Sequence, residues 1–241
     1  MTRDERALRE LPAWLWLALA LALAVQLAWR VQEASPSVRA ADLPPAPSAA
    51  ALRLASFGEP EAAARVAMLY LQAFDYGGAN ASPYRRLDYG RLVDWLSAIL
   101  ALDPRSDYPL FAAARVYAEN PDPAKSRLIL EFIYREFFAD PDRRWASLAH
   151  AALLAKHQLR DLPLARRYAA AVQRYARSPD VPLWARQMEV FILEDMNELD
   201  AARIMLGGML ASGAIRDADE ARFLRQHLEE LERRLASPSK R

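Results

Sequence analysis

Prolines divide most of this chain into segments of nearly constant length. Pro104, Pro141 and Pro179 each follow a segment that can form a helix, and they lie 37 and 38 residues apart. A helix cannot run undisturbed through these positions, because proline lacks the backbone N–H and clashes with the preceding turn. Each interval is long enough for two helices and a short turn. The spacing therefore predicts helix pairs that bury their apolar faces by stacking on their neighbours.

Aspartate and proline together predict where several helices begin. Asp107, Asp161 and Asp180 each stand two residues before a proline, and Asp122 stands directly before one. An aspartate can accept hydrogen bonds from the free N–H groups of a first helical turn, where proline is tolerated. Alanine and leucine make up much of the 53% apolar fraction, and only 7 glycines occur, so the pattern predicts an all-α fold. The expected helices are 48–57, 60–74, 87–102, 107–118, 122–138, 142–158, 161–176, 180–195, 197–212 and 217–236.

Several short segments resemble the tetratricopeptide-repeat family. Residues 160–165 read RDLPLA and residues 197–202 read NELDAA, each ending in the alanine found where the two helices of such a repeat cross. The match is degenerate, because the observed period exceeds the family's repeat of about 34 residues. Over residues 48–236, the resemblance implies a right-handed α-solenoid of about four helix pairs with a capping helix at 217–236. It also implies protein or peptide ligands.

The stretch from Leu11 to Val31 is long and apolar. It carries no charge between Pro12 and Trp29, and Gln26 is its only strongly polar residue. A helix of about 20 residues, rising about 1.5 Å per residue, spans a hydrocarbon core of roughly 30 Å. The stretch therefore predicts a single transmembrane helix. The arginines before it favour a cytoplasmic N-terminus, and hence a periplasmic C-terminal domain in a bacterium.

Other interpretations of this stretch remain open. A cleaved signal peptide is one, with a weak small-residue cleavage match ending at Ala40, and a buried helix of a soluble protein is another. Ala20, Ala24 and Ala28 form a row of small residues that could seat a partner transmembrane helix. The predicted organisation is a tail at 1–10, an anchor at 11–31, a proline-rich linker at 32–47, the helical domain at 48–236 and a tail at 237–241.

The sequence offers no convincing catalytic or metal site. A net charge of +1 gives no overall field for nucleic acid, and the absence of cysteine excludes disulfides, thiolate metal sites and a cysteine nucleophile. His150 and His157 share a predicted helix without a third ligand at metal-binding spacing. Neither a Glu-Ser pair of the helical lytic transglycosylases, nor a nucleophile elbow, nor a phosphate-binding glycine loop occurs. We expect no enzyme, no cofactor and no metal.

Two segments are candidate binding surfaces. Residues 75–90, DYGGANASPYRRLDYG, are longer than a normal turn between paired helices and rich in the tyrosine and arginine that dominate binding hot spots. The alternative is a divergent connection between repeats. The second segment starts the helix at 142–158, whereas the aromatic run at 134–138 is expected in the core. The candidate residues are Tyr76, Tyr84, Arg85, Arg86 and Tyr89, followed by Arg143, Arg144 and Trp145.

The combined prediction is a membrane-anchored helical-repeat scaffold or assembly factor. It would bind cell-envelope proteins or peptides at the bacterial cytoplasmic membrane, on the periplasmic side, as a single-pass inner-membrane protein. Two alternatives remain open at this point. One is a structural subunit of a larger membrane complex, and the other is a cell-envelope enzyme such as a glycan-cleaving one.

Overall fold

The computed structural model describes residues 13–32, 43–75, 83–213, 215 and 217–236. Within these ranges the backbone forms eleven α-helices and no strand, so the predicted all-α class is confirmed. All ten helices expected from residue 48 onward form, and their ends lie within about three residues of the predictions, except that the helix expected at 107–118 ends at Ala112 and a π-helical turn continues it to Tyr117. The helices are α1 (Ala13–Gln32), α2 (Ala49–Ala55), α3 (Pro60–Gln72), α4 (Tyr89–Leu102), α5 (Tyr108–Ala112), α6 (Pro123–Phe137), α7 (Pro141–His157), α8 (Leu162–Tyr175), α9 (Leu183–Asp195), α10 (Leu199–Ala211) and α11 (Ala218–Ala236).

α1 belongs to the first of two compact units into which the chain divides. Its described side chains, residues 14–28, include the polar Gln26, and Arg30 follows in the last turn of the helix. Among the residues that the structure describes, no helix is both long and apolar enough to cross a membrane. The predicted transmembrane helix is therefore wrong, and with it the single-pass location in a bacterial inner membrane with a periplasmic domain.

The second unit begins with an extended segment, residues 43–47, which we call the strap. The sequence places this segment in a linker, but Leu43 is fully buried in the core. Arg91 donates a hydrogen bond from Nη1 to the Leu43 carbonyl at 2.7 Å, and Trp95 donates one from Nε1 to the Pro44 carbonyl at 2.8 Å. The packed part of the helical domain therefore includes residues from Leu43 onward, ahead of the expected boundary at residue 48.

Local sequence explains most of the helix starts. Asp122 and Asp161 cap α6 and α8 as predicted, with side-chain oxygens 2.9 Å from the Ala124 nitrogen and 3.0 Å from the Leu164 nitrogen. Asp107 precedes α5 without a side-chain cap, and α9 begins at Leu183, beyond the expected Asp180. Asp122 and Asp161 have non-helical backbone angles, as an N-cap residue requires, whereas the backbone of Asp107 is already helical.

A continuous core joins the helices from the strap to α9. Its largest fully buried side chains include Tyr117, Phe132, Phe137 and Tyr168. Alanines with no exposed surface lie between them on α7 and α8, and their small size lets helix backbones approach closely. Each helix from α6 to α9 packs on the next, while α4 also contacts α6, and α7 contacts α9. Contacts with both the next helix and the next but one are expected for stacked helix pairs.

Polar contacts tie neighbouring helix pairs together at nearly the sequence period. Asp142 Oδ1 accepts hydrogen bonds from the backbone N–H groups of Arg177 and Ser178 at 2.6 and 2.7 Å. Gln158 donates to the Asn120 carbonyl at 2.7 Å. These partners are 35, 36 and 38 residues apart, close to the interval between the stopping prolines. The stacking agrees with the proline spacing, while the repeat family itself stays a prediction.

A smaller apolar cluster and one carboxylate hold α11 on the end of the domain. Leu224 and Leu231 are buried against α9 and α10, on the leucine stripe that the sequence assigns to a terminal helix. The Glu194 carboxylate, with a side chain 13% exposed, lies 2.6 Å from His227 Nε2 and 3.1 Å from Arg234 Nη1. Glu194 therefore clamps the last helix to α9.

We expect Glu194→Ala to lower the free energy of unfolding by about 1–2 kcal/mol, because it leaves the half-buried His227 and the exposed Arg234 without their shared acceptor. Amide hydrogen exchange should accelerate in α11 while α6 to α8 stay protected. Urea unfolding and exchange mass spectrometry measure the two effects. Glu232→Ala, at an exposed carboxylate of α11, is the matched control. Equal effects of the two substitutions would contradict the clamp.

Candidate binding groove

The described part of the predicted insertion is folded back on the domain. Residues 83–86 form one turn of 3₁₀-helix, in which Arg85 and Arg86 are exposed and Tyr84 is half-buried. The Arg85 guanidinium lies 5.8 Å from the centre of the Tyr84 ring and donates a hydrogen bond from Nε to its hydroxyl at 3.3 Å. Tyr76 lies outside the described residues. Binding by the exposed arginines stays a prediction.

Tyr89, the last tyrosine of that segment, has a structural role. It is 2% exposed, donates to the Tyr117 carbonyl at 3.1 Å and accepts from Asn120 Nδ2 at 2.8 Å. Lys125 Nζ fixes the same segment through the carbonyls of Arg85 and Leu87, at 2.8 and 3.0 Å. The hydrogen-bonding capacity of Tyr89 is thus used inside the domain.

Asp75, at the start of the insertion, carries a carboxyl group with a raised pKa. Asp75 Oδ2 accepts a hydrogen bond from the Tyr117 hydroxyl at 2.8 Å, while Oδ1 is buried without a partner among the described residues. Burial raises the pKa of Asp75 to about 6, and the hydrogen bond from Tyr117 opposes part of that shift. Burial also raises the pKa of Tyr117, so its hydroxyl remains a donor at neutral pH. Tyr117 is placed there by a wide π-helical turn, 113–117, that follows α5.

The second predicted cluster joins neighbouring helix pairs. Arg144 is 6% exposed, and its guanidinium donates to the carbonyls of Glu136 and Pro104 at 2.5 and 3.0 Å. Arg143 donates to Asp107 Oδ1 at 3.2 Å. Trp145, partly buried, meets Trp184 edge to face with ring centres 5.6 Å apart. These arginines satisfy carbonyls and carboxylates of the preceding pair, which leaves them little capacity for a ligand.

The histidines do not form a metal site in the described part of the chain. His150 lies 3.9 Å from Glu119, and burial together with the nearby Arg115 lowers its pKa. His227 is held by Glu194 as described above. No group of three histidine, aspartate or glutamate side chains is arranged to hold a metal ion among the described residues.

The structure reveals a groove that the sequence did not indicate. It is formed by α6, α8, α9 and α10 and has a volume of about 450 Å³. We call it the α6–α8 groove. Its lining combines aromatic, cationic and small side chains. The lining residues are Tyr134, Phe138, Arg167, Ala170, Ala171, Gln173, Arg174, Tyr175, Glu189 and Met205.

Aromatic rings form one wall of the α6–α8 groove. Phe138 and Tyr175 are 42% and 46% exposed and meet edge to face, with ring centres 5.3 Å apart. Tyr134 packs on Phe138 at 5.1 Å and on the buried Tyr168 at 5.2 Å. The run at 134–138 is therefore divided, because Phe137 enters the core while Phe138 faces the groove. These rings offer half-exposed apolar surface on a rigid base.

One positive charge in the α6–α8 groove has no counter-charge among the residues that the structure describes. Arg167 is paired with Glu131 and lies 4.6 Å from the centre of the Tyr134 ring. Glu189, 6% exposed, is paired with Arg166 at 3.3 Å. The exposed Arg174 guanidinium makes no ion pair or hydrogen bond within the described part of the chain. The groove therefore presents Arg174 as an uncompensated cation.

Comparison of the chain with protein-family models, with curated proteins and with solved structures gave no match. The resemblance to tetratricopeptide repeats consequently stays a prediction.

We expect Asp75 to make stability depend on pH in the acidic range. Its folded-state pKa of about 6 lies above the ordinary 3.8, so the unfolded chain loses the proton first as pH rises. The free energy of unfolding should fall between about pH 4 and 6 and then level off. After allowance for partial exposure, the loss should be about 1 kcal/mol.

Asp75→Asn should remove this pH dependence of the free energy of unfolding while keeping an acceptor for the Tyr117 hydroxyl. Urea unfolding at pH 4.5 and 7.5 should show that the variant is more stable, relative to the natural chain, at pH 7.5 than at pH 4.5. Asp94→Asn, at an exposed position of α4, controls for loss of a surface charge. A stability difference that stays the same at both pH values would refute the assignment.

Proposed function

We propose that the helical domain is a scaffold that binds a segment of a partner protein in the α6–α8 groove. The observation that carries the proposal is the uncompensated Arg174 beside the half-exposed rings of Phe138 and Tyr175. Tyrosine and arginine dominate binding hot spots, and a pre-formed groove loses little freedom when a ligand enters.

The chemistry of the lining defines the ligand. An apolar or aromatic side chain fits against Phe138 and Tyr175, and a carboxylate on the same segment neutralises the charge of Arg174. An arginine can bind a carboxylate through two parallel hydrogen bonds, which adds orientation to attraction. Glu189 in the lining and Glu131 beside Arg167 do not compete, because each has its own arginine partner.

Two further points support a protein ligand. The resemblance of residues 160–165 and 197–202 to tetratricopeptide repeats implies binding of proteins or peptides. In addition, the groove is built on helix faces whose buried sides belong to the continuous core, so its shape is fixed before a ligand arrives. Binding through shape and charge, without bond chemistry, is the function this surface serves best.

The test uses fluorescein-labelled short peptides in which leucine and phenylalanine alternate with glutamate, lysine or glutamine. Fluorescence anisotropy should show that the natural chain binds the glutamate series more tightly than the other two. Added salt should weaken that binding, because the charge contact is partly exposed to solvent. Preference for the lysine series, or equal binding of all three, would refute the proposal.

Substitutions locate the binding in the α6–α8 groove. Arg174→Glu should weaken the binding of the glutamate peptides at least about tenfold, because it replaces electrostatic attraction by repulsion. Tyr175→Ala should weaken all apolar peptides to a smaller extent. Arg225→Glu makes the same change of charge at an exposed position of α11 outside the groove and is the matched control. Equal loss in Arg174→Glu and Arg225→Glu would place the binding elsewhere.

A further inference from the structure

Three arginines of α8 lie in or beside the α6–α8 groove, and two of them are already paired with acids. Arg167 and Arg174 belong to its lining. Seven residues, at about 1.5 Å each, place these two roughly 10 Å apart along the helix. Arg166, outside the lining, holds the carboxylates of Glu189 at 3.3 Å and Glu198 at 3.2 Å. Two acids share this one arginine, so it adds no positive charge that a ligand could use.

Arg167 is occupied by Glu131, a residue of α6 that borders the groove without lining it. Arg167 donates a hydrogen bond from Nη2 to Glu131 Oε1, and the Tyr168 hydroxyl donates to the same oxygen at 3.1 Å. Tyr168 is fully buried, and burial raises its pKa, so its hydroxyl stays a donor. Two donors from α8 therefore hold the Glu131 carboxylate in place.

The ring pairs give the α6–α8 groove two different ends. At one end Tyr134 meets Tyr168, next to Arg167, and at the other end Phe138 meets Tyr175. α6 and α8 therefore run along the groove in the same direction, with the paired arginine at one end and the uncompensated arginine at the other. An extended segment rises about 3.1–3.4 Å per residue, so side chains about three residues apart in one ligand can reach both ends.

We propose that the α6–α8 groove binds segments through a single acidic side chain, and that Glu131 sets this limit by occupying Arg167. The limit rests on the function proposed above, because it specifies which segments that groove accepts. The first acid of a ligand is attracted by Arg174. A second acid near Arg167 meets the Glu131 carboxylate, whose side chain is 42% exposed. Runs of acidic residues therefore bind no more tightly than one acid does.

Displacing Glu131 would bring a ligand no net gain. The Glu131 carboxylate is attached to α6, so it keeps its place on Arg167 without the loss of freedom that a ligand acid would suffer. Its removal would also leave the buried Tyr168 hydroxyl without an acceptor, which costs free energy. The ligand acid would have to offset both costs while it gave up its own contacts with water.

Peptides with different numbers of acids test the limit on the natural full chain. Fluorescein-labelled peptides of one leucine- and phenylalanine-rich sequence carry no glutamate, one glutamate, or a second glutamate two, three or four residues from the first, with glutamine as the replacement. By fluorescence anisotropy the first glutamate should tighten binding at least about fivefold, and the second less than about twofold at every spacing. A second glutamate that tightens binding as much as the first overturns the proposal. If the first glutamate has no effect, the proposed function itself is wrong, and this limit is wrong with it.

Glu131→Gln tests the role of the resident acid. The substitution removes its charge and keeps a side-chain oxygen that accepts from Arg167 and Tyr168. A second glutamate should now tighten binding at least about threefold at one spacing or more, and added salt should weaken this binding more steeply, because two charge contacts are screened. Glu229→Gln makes the same change of charge at an exposed position of α11 and is the matched control. No gain in Glu131→Gln, or an equal gain in Glu229→Gln, overturns the proposal.

Arg167→Gln tests the same pair from the other side. It leaves the Glu131 charge without its arginine, so a second glutamate should weaken binding at least about twofold at one spacing or more. This comparison is made within one variant, between peptides with one and two glutamates, so a general loss of affinity does not affect it. It decides the role of Glu131 even if circular dichroism shows that Glu131→Gln does not fold. A second glutamate without effect in Arg167→Gln overturns that role.

Discussion

The structure depends on the close approach of helices that cannot bury their apolar faces alone. Alanines without exposed surface on α7 and α8 bring backbones together, and larger rings such as Phe132 and Tyr168 fill the remaining space. Because every pair relies on its neighbours, polar groups at the edges are also shared between pairs. Asp142 and Arg144 each bind the backbone of an adjacent pair, so the residues that end one unit complete the next.

Because neighbouring helix pairs share contacts, only some parts of the fold could be predicted from the sequence. Helix ends depend on a few neighbouring residues, and Asp122, Asp161 and the prolines fixed them closely. Residue type alone did not reveal surface roles. Tyr89 and Arg144 are of the residue types that dominate binding hot spots. Their hydrogen-bonding groups are nevertheless occupied by other residues of the domain. The α6–α8 groove was missed for the same reason, since it exists only where faces of α6 and α8 meet.

The two grooves divide the surface by chemistry. The α6–α8 groove combines rings with one unmatched cation, whereas a second groove, lined by α2, α3 and Trp95, is almost entirely apolar. The first suits a segment that carries a carboxylate. The two grooves involve different helices, so the first helix pair takes no part in the proposed binding surface.

The strap ties the first described residues of the domain to the first helix pair. Trp95 donates a hydrogen bond from its ring nitrogen to the Pro44 carbonyl, and the same ring forms a wall of the groove lined by α2 and α3. Arg91 adds a hydrogen bond to the Leu43 carbonyl. Because Leu43 and Trp95 both belong to the continuous core, a displacement of the strap would disturb that groove and the core together.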